Sequence, residues 1–175
     1  MKSRYFLGID PGKQGALVVI DEDSKVVEMV GMPLIGNEYD KKTIIDFLRS
    51  YDFVHIGLEN PSIIVSVSKS SVASLFKCVG MFEGLLMGLG ISHSLVNPKV
   101  WQNEVWENVK KQTKLTSDGK KKTDTKATST LAANSLFASV NFKVTNKLSK
   151  SKNYNDGMID AALIAEYVRR KFKIE

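Results

Sequence analysis

The chain has 175 residues, a formal net charge of +6, 43% apolar and 25% charged side chains, one cysteine and two histidines. That suits one compact domain over 1–175 with a real core and leaves little room for a second. With Cys78 alone, an internal disulfide is excluded, a reducing compartment is indicated, and a zinc site rich in thiolate or imidazole has no ligands to draw on.

No apolar run reaches the roughly 18 residues that span a membrane. The opening MKSRYFLGIDPG is basic at its start, but Asp10 and a turn interrupt the apolar stretch too early for a signal peptide. Residues 4–10 (RYFLGID) predict a buried strand stopped by Pro11-Gly12, and 15–21 (GALVVID) a second strand. Val26–Met32 predicts a third, and spacing this short makes the three an antiparallel meander. Residues 41–50 (KKTIIDFLRS) read as a helix with Ile44, Ile45, Phe47 and Leu48 on one face. Phe53–Glu59 (FVHIGLE) reads as a fourth strand ended by Pro61.

Ser68 to about Leu89 reads as a long helix with Val72, Leu75, Phe76, Val79, Leu85, Leu86 and Leu89 apolar. Gly80, Gly84 and Gly88 recur every four residues along one face, each costing roughly 1 kcal/mol relative to alanine. Such a stripe implies close packing, against the protein's own sheet or against a second subunit. Residues 91–96 (ISHSLV) predict a fifth strand, and Asn97-Pro98 caps a helix carrying Trp101 and Trp106, read as core residues rather than base-stacking platforms. Residues 110–122 lack periodicity and read as an exposed loop, and 123–138 as a helix with Ala127, Leu131, Ala132 and Phe137 inward. Residues 140–154 read as a second lysine-rich connection. A last helix begins at Asn155 or Asp156 and runs to about Arg170, with Met158, Ile159, Ala162, Leu163, Ala165 and Tyr167 available to the core. The fold class is therefore α/β: a mixed five-stranded sheet, three antiparallel strands plus two parallel, flanked by helices.

Charge is unevenly placed. Eleven lysines against Asp118 and Asp124 make 110–152 a +9 segment, and the rest of the chain sums to −3. A basic region on a mildly acidic body suits a polyanionic partner, the alternative being a solvated loop with no partner. Carboxylates gather elsewhere. Asp10 and Glu59 each close an apolar strand, and Asp156 and Asp160, four apart, project from one face of the last helix. Each has an innocent reading as a turn, cap or strand-end residue. Asp160, however, lies within GMIDAALIA, where an unpaired charge is costly. If the first and fourth strands are parallel neighbours, all four acids meet at one sheet edge. Four hard oxygen donors suit two magnesium or manganese ions about 4 Å apart, the arrangement for in-line phosphodiester hydrolysis. Lys126, in DTKAT, is the best nearby cation for a non-bridging phosphate oxygen, or an ordinary lysine of a basic stretch.

At these residues the sequence resembles the RuvC-type Holliday-junction resolvases. The segments FLGIDPGKQGALVVID, HIGLENPS, VNPKVWQ, KKTDTKAT and NDGMIDAALIAEYVRR carry the likeness in order through nearly the whole chain. The MPLIG stretch and NDGMIDA look closest to the branch carried by bacteriophages and some low-GC bacterial elements. The resemblance implies an RNase H-like fold and a homodimer built through the helix around 68–89. It also implies Mg²⁺-dependent paired nicks in a four-way DNA junction that leave 5′-phosphate and 3′-hydroxyl ends, and a cytoplasmic setting. Asp10, Glu59 and Asp160 match the family's acidic positions. Many members place the remaining ligand where this chain has Gly157, so Asp156 is the substitute. Cellular members carry a stacking aromatic shortly after the glutamate, where this chain has Pro61-Ser62-Ile63-Ile64-Val65. Ile63 and Ile64 become candidate wedges, and Lys69, Lys114, Lys120, Lys121, Lys122, Lys126, Lys150 and Lys152 candidate DNA contacts. An actin-like nucleotide-binding protein would need a second glycine-rich phosphate loop, which is not evident. A junction-binding module without cleavage, and a nuclease for RNA–DNA hybrids, are the remaining alternatives.

Overall fold

The computed structural model describes residues 4–61, 68–143 and 155–173. The expected meander forms as β1 (Tyr5–Asp10), β2 (Ala16–Asp21) and β3 (Val26–Gly31), with Tyr5 opposite Asp21 and Asp10 opposite Ala16. A small hairpin follows, β4 (Leu34–Ile35) and β5 (Glu38–Tyr39), turned by Gly36 at φ 60° and not anticipated from the sequence. Helix α1 (Lys41–Arg49) starts at Asp40, whose carboxylate accepts from Thr43 N, and buries Ile44 and Leu48. Next come β6 (Phe53–Glu59), α2 (Lys69–Gly88, capped by Ser68) and β7 (His93–Val96). Helix α3 (Pro98–Val105) is capped by Asn97 as expected, and Trp101 and Trp106 are both core residues. Helices α4 (Thr125–Leu136) and α5 (Asp156–Phe172) complete the described elements beyond a further hairpin noted below.

The strand order is β3-β2-β1-β6-β7, with β6 parallel to both β1 and β7. Side chains alternate across this sheet because the strand period is two. Phe6, Val18 and Ile20 face a layer made by α3, α4 and α5, and Leu7, Ile9, Leu17, Ile56 and Leu58 face α1 and α2. Gly8 of β1 lies opposite Gly57 of β6. A Cβ on Gly8 would stand 1.9 Å from the Ala161 carbonyl oxygen of α5, and one on Gly57 would meet Ile164 and Val168 at 2.7 and 2.8 Å. The two glycines therefore let α5 lie directly on the sheet. That close approach sets where the acids of α5 end up.

Three expectations are corrected. Residues 110–122 are not a plain loop: β8 (Thr113–Leu115) and β9 (Lys121–Thr123) pair as an antiparallel hairpin. Its turn is fixed by Gly119 at φ 77° and by Thr116, whose hydroxyl bonds to Asp118 and the Lys120 carbonyl. The hairpin is exposed on both faces, so no apolar alternation marks it in the sequence. Second, α4 buries Thr128, Ser129, Ala132 and Ala133, while Leu131 is exposed. Thr128 can turn inward because its hydroxyl donates to the Asp124 carbonyl and accepts from Gln112 N. Third, of the two packings open to the glycine stripe of α2, the one against the protein's own sheet does not form. Cys78, Val79, Phe82 and Leu86 do that, and a Cβ on Gly80, Gly84 or Gly88 would meet nothing within 4 Å among the described residues.

Helix α2 also qualifies the reading that no apolar run reaches spanning length. Its 20 residues are long and apolar enough, by length and composition, to cross a membrane. Lys77 and Glu83 interrupt it, and one side is packed into the sheet layer. Its other side leaves Phe76 40% and Met87 72% exposed beside the open glycines.

Candidate active site

The parallel pairing of β1 and β6 puts Ile9 beside Leu58, so Asp10 and Glu59 leave the sheet at the same end. The turn after Asp10 is tight. Gly12 sits at φ 117°, Gly15 N donates to the Gly12 carbonyl at 3.0 Å, and Gly12 N donates to Cys78 Sγ of α2 at 3.3 Å. Helix α5 abuts this turn. Its cap residue is Asn155, whose side chain accepts from Met158 N and whose own amide donates to the Phe142 carbonyl. Gly157 is pressed so close that a Cβ there would lie 2.5 Å from the Gln14 carbonyl oxygen. No side chain fits at 157, so a carboxylate three residues before Asp160 is sterically barred in this chain. Asp156, one residue earlier, occupies the first turn of α5.

All four acids are half-buried, and their electrostatics show that they sense one another. Burial, then Glu59, Asp160 and Asp156 in that order, hold Asp10 well above the ordinary carboxylate range. Burial, followed by Glu59, pushes Asp160 up to about 7, against a hydrogen bond from Ser129 that pulls it down. Burial raises Glu59 as well, while the Trp101 indole N–H, donating to Glu59 Oε1 at 2.9 Å, lowers it. Among the described residues, Asp10 has no hydrogen-bonded or ion-paired partner for its carboxylate, yet three acids lie within repelling range of it. That is an excess of negative charge which a divalent cation relieves, and an all-oxygen donor set suits magnesium or manganese. As the side chains stand, no group of three acids among the described residues closes on a common point tightly enough to coordinate one ion.

Lys126 lies on α4, whose cap is Asp124, and its ammonium reaches Asp156 Oδ2 at 2.5 Å. Both partners are substantially exposed, so the pair adds little stability, but it places a cation beside the acids. A cleft of about 850 Å³ opens here, with Asp10, Asp156 and Lys126 among its walls. Lys13, Asn37, Ser70, Ser74 and Leu75 line the rest, and Glu59 and Asp160 are not on its walls. Of the remaining candidates, Lys69 is exposed at the start of α2. Lys114 pairs with Asp124 at 3.2 Å, Lys120 pairs with Asp118 at 3.2 Å, and Lys121 and Lys122 are exposed on β9. Ile63, Ile64, Lys150 and Lys152 lie outside the described residues. Sequence reasoning missed Trp101 and Ser129 as partners of Glu59 and Asp160. It also missed Lys13 on the cleft wall. A buried indole or a helix-face serine carries no sign, in one sequence, of which carboxylate it will meet.

The architecture, a mixed five-stranded sheet flanked by helices, is a RuvC/RNase H-like fold. The structure is similar to Thermus thermophilus RuvC, with a TM-score of 0.56 at 10% identity, covering 95% of this chain and 96% of that one. It is similar also to T. thermophilus RuvC in complex with Holliday junction substrate, with a TM-score of 0.62 at 12% identity, covering 97% and 93%. Sequence comparison finds no matching family and no matching curated protein.

Proposed function

We propose that the chain is a structure-selective endodeoxyribonuclease that resolves four-way, and other branched, DNA by metal-dependent phosphodiester hydrolysis. The observation that carries this reading is that β1, β6 and α5 hold Asp10, Glu59 and Asp160 within range of one another's charge. Two parallel strand ends and a helix laid on the sheet bring three carboxylates, and a fourth at Asp156, into mutual repulsion beside an open cleft. The similarity to a RuvC bound to a Holliday junction supports the choice of substrate.

Asp10, Glu59, Asp156 and Asp160 would hold magnesium or manganese, two ions in this reading, which when bound supply an activated water and neutralise charge on the phosphate. Water adds to phosphorus, the P–O3′ bond breaks, and the 3′ oxygen leaves protonated, giving 5′-phosphate and 3′-hydroxyl ends. Trp101 and Ser129 orient their carboxylates by hydrogen bonds from the layer formed by α3 and α4. Lys126 offers a cation to a non-bridging oxygen. The hairpin β8–β9, with Lys114, Lys120, Lys121 and Lys122, and Lys69 at the start of α2 grip the backbone. The open, glycine-lined face of α2 is where a second copy docks, giving the homodimer that paired nicks require. The Asp156–Asp160 offset supports the bacteriophage-like branch, and the single buried cysteine suits the cytoplasm.

The test is cleavage mapping on synthetic four-way, three-way and linear DNA, with Mg²⁺, Mn²⁺ and chelator, for the unsubstituted chain and for Asp160→Asn. Symmetrical, ligatable nicks in the four-way junction that vanish in the variant and with chelator are expected. Junction binding without nicking under any metal would leave a binding module, and preference for RNA–DNA hybrid would place the activity elsewhere in the fold class.

A further inference from the structure

Resting on the nuclease reading, the cleft beside the carboxylates holds a cation which that reading does not employ. Lys13 lies in the turn between β1 and β2, three residues beyond Asp10. The turn is held from three directions: Gly15 N to the Gly12 carbonyl at 3.0 Å, Met32 N to the Gly15 carbonyl at 2.9 Å, and Gly12 N to Cys78 Sγ at 3.3 Å. A side chain carried on it keeps a set position relative to Asp10. The Lys13 ammonium donates to Asn37 Oδ1 at 2.6 Å, and Asn37 comes from the β4–β5 hairpin on the cleft wall.

The chemistry of that partner matters. Asn37 is neutral, so the bond aims the ammonium without cancelling its charge. Of the two lysines on the cleft wall, Lys126 is ion-paired with Asp156, whereas Lys13 has no carboxylate partner among the described residues. Ser70, Ser71 and Ser74 also line the cleft, the first two sharing hydrogen bonds with the Ser68 hydroxyl, and none of the three can neutralise an anion. A half-buried, amide-oriented lysine in a cleft also lined by Asp10 and Asp156 is placed to receive an anion adjoining the reacting group. In a polynucleotide that anion is the neighbouring phosphate.

We propose that Lys13 clamps a backbone phosphate next to the scissile one, with the cleaved strand running from Asp10 and Asp156 along the cleft toward the start of α2. Lysine suits the role as a compact point charge. Because Lys13 and Asp10 share one rigid turn, the clamp sets the register of the strand on the acids.

Two measurements on the full chain test this. In the Asp160→Asn background, junction binding is followed as salt is raised. Lys13→Met should weaken binding about 3- to 10-fold at low salt and reduce the salt slope by about one. In the active chain, a single methylphosphonate is moved linkage by linkage through the cut region. At one linkage beside the cut, the neutral phosphate should slow the unsubstituted protein several-fold and leave Lys13→Met unaffected, with Lys13→Arg regaining the sensitivity. Equal penalties in all three proteins at every linkage overturn the proposal, as does an unchanged salt slope. Should Lys13→Met fail to fold, Asn37→Ala, which frees the ammonium without touching the turn, must blunt the response at the same linkage; a full response there overturns it too. Absence of cleavage by the unsubstituted chain defeats the nuclease reading, and the salt-slope arm, needing only binding, still decides for or against Lys13.

Discussion

The indole N–H of Trp101 donates to Glu59 Oε1 at 2.9 Å from a ring with no exposed surface. Helix α3 thus reaches across to the end of β6 and fixes one oxygen of a carboxylate that burial raises and this bond lowers.

Trp101→Phe keeps most of the volume and removes only the donor. The metal concentration for half-maximal cleavage should rise about tenfold, the low end for losing a group that orients a ligand. Stability should fall by about 1–2 kcal/mol. A metal titration beside a thermal melt separates the two effects. An unchanged midpoint in the less stable protein would mean that Glu59 needs no orientation.

Asp160→Asn should abolish cleavage, leave junction binding largely intact and stabilise the metal-free protein. Burial and Glu59 raise the folded Asp160 to about 7, so folding favours its protonated form. Its ionisation therefore costs stability progressively as pH rises from about 4 to about 7. Asparagine removes that cost, on the order of 1–2 kcal/mol in a half-buried site. Melting curves at pH 5 and pH 8 without metal should differ less for the variant. Loss of folding together with binding would make the residue structural.

Gly157→Ala should destabilise by about 3 kcal/mol or more, because its Cβ must enter the space of the Gln14 backbone, which cannot swing aside as a side chain would. Moving the acid with the double change Asp156→Gly and Gly157→Asp should therefore fail to restore activity. Urea denaturation of the single variant checks the first claim, and an active, stable double variant would contradict the second.

Acid should unfold the protein through Glu166. It is 2% exposed, and although burial raises it, hydrogen bonds from Arg169, Arg170 and Ser24 outweigh that and leave it below the ordinary range. The stabilisation is present above the unfolded value near 4.5 and is lost as pH falls through the lower folded one. Glu166→Ala strands two arginines and should cost about 3 kcal/mol at pH 7, with the difference from the unsubstituted protein narrowing below pH 4. Parallel denaturation curves across pH 3–7 would show it.

Gly84 distinguishes a solitary helix face from a dimer seam. With nothing among the described residues within 4 Å of its Cβ, Gly84→Ala in a monomer should only gain helix propensity, about 1 kcal/mol. In the proposed dimer, Gly84→Leu should hold the backbones apart and raise the dissociation constant at least tenfold. Sedimentation over a range of concentrations decides, and an unsubstituted protein that is monomeric throughout removes the seam.

Much of this is legible in the sequence alone. The Pro-Gly stop after RYFLGID, the apolar alternation of the strands and the Asn97-Pro98 cap are local signals, and the elements they predict are present within a residue or two. Where a segment's partners lay elsewhere, periodicity misled. Thr128 and Ser129 turned inward because their hydroxyls found distant partners. The lysine-rich hairpin showed no pattern because neither of its faces is buried.

By itself, then, the chain's sequence determined the five strands of the main sheet, the helices and the acids at their ends, though not the two small hairpins, because those signals depend on neighbours a few residues away. Only the tertiary structure decided how those acids meet. The register of Gly8 with Gly57, the seating of α5 against both, and the crowding that bars any side chain at 157 are contacts between residues far apart in the chain. Their strength is set by close packing, which no one-dimensional pattern records.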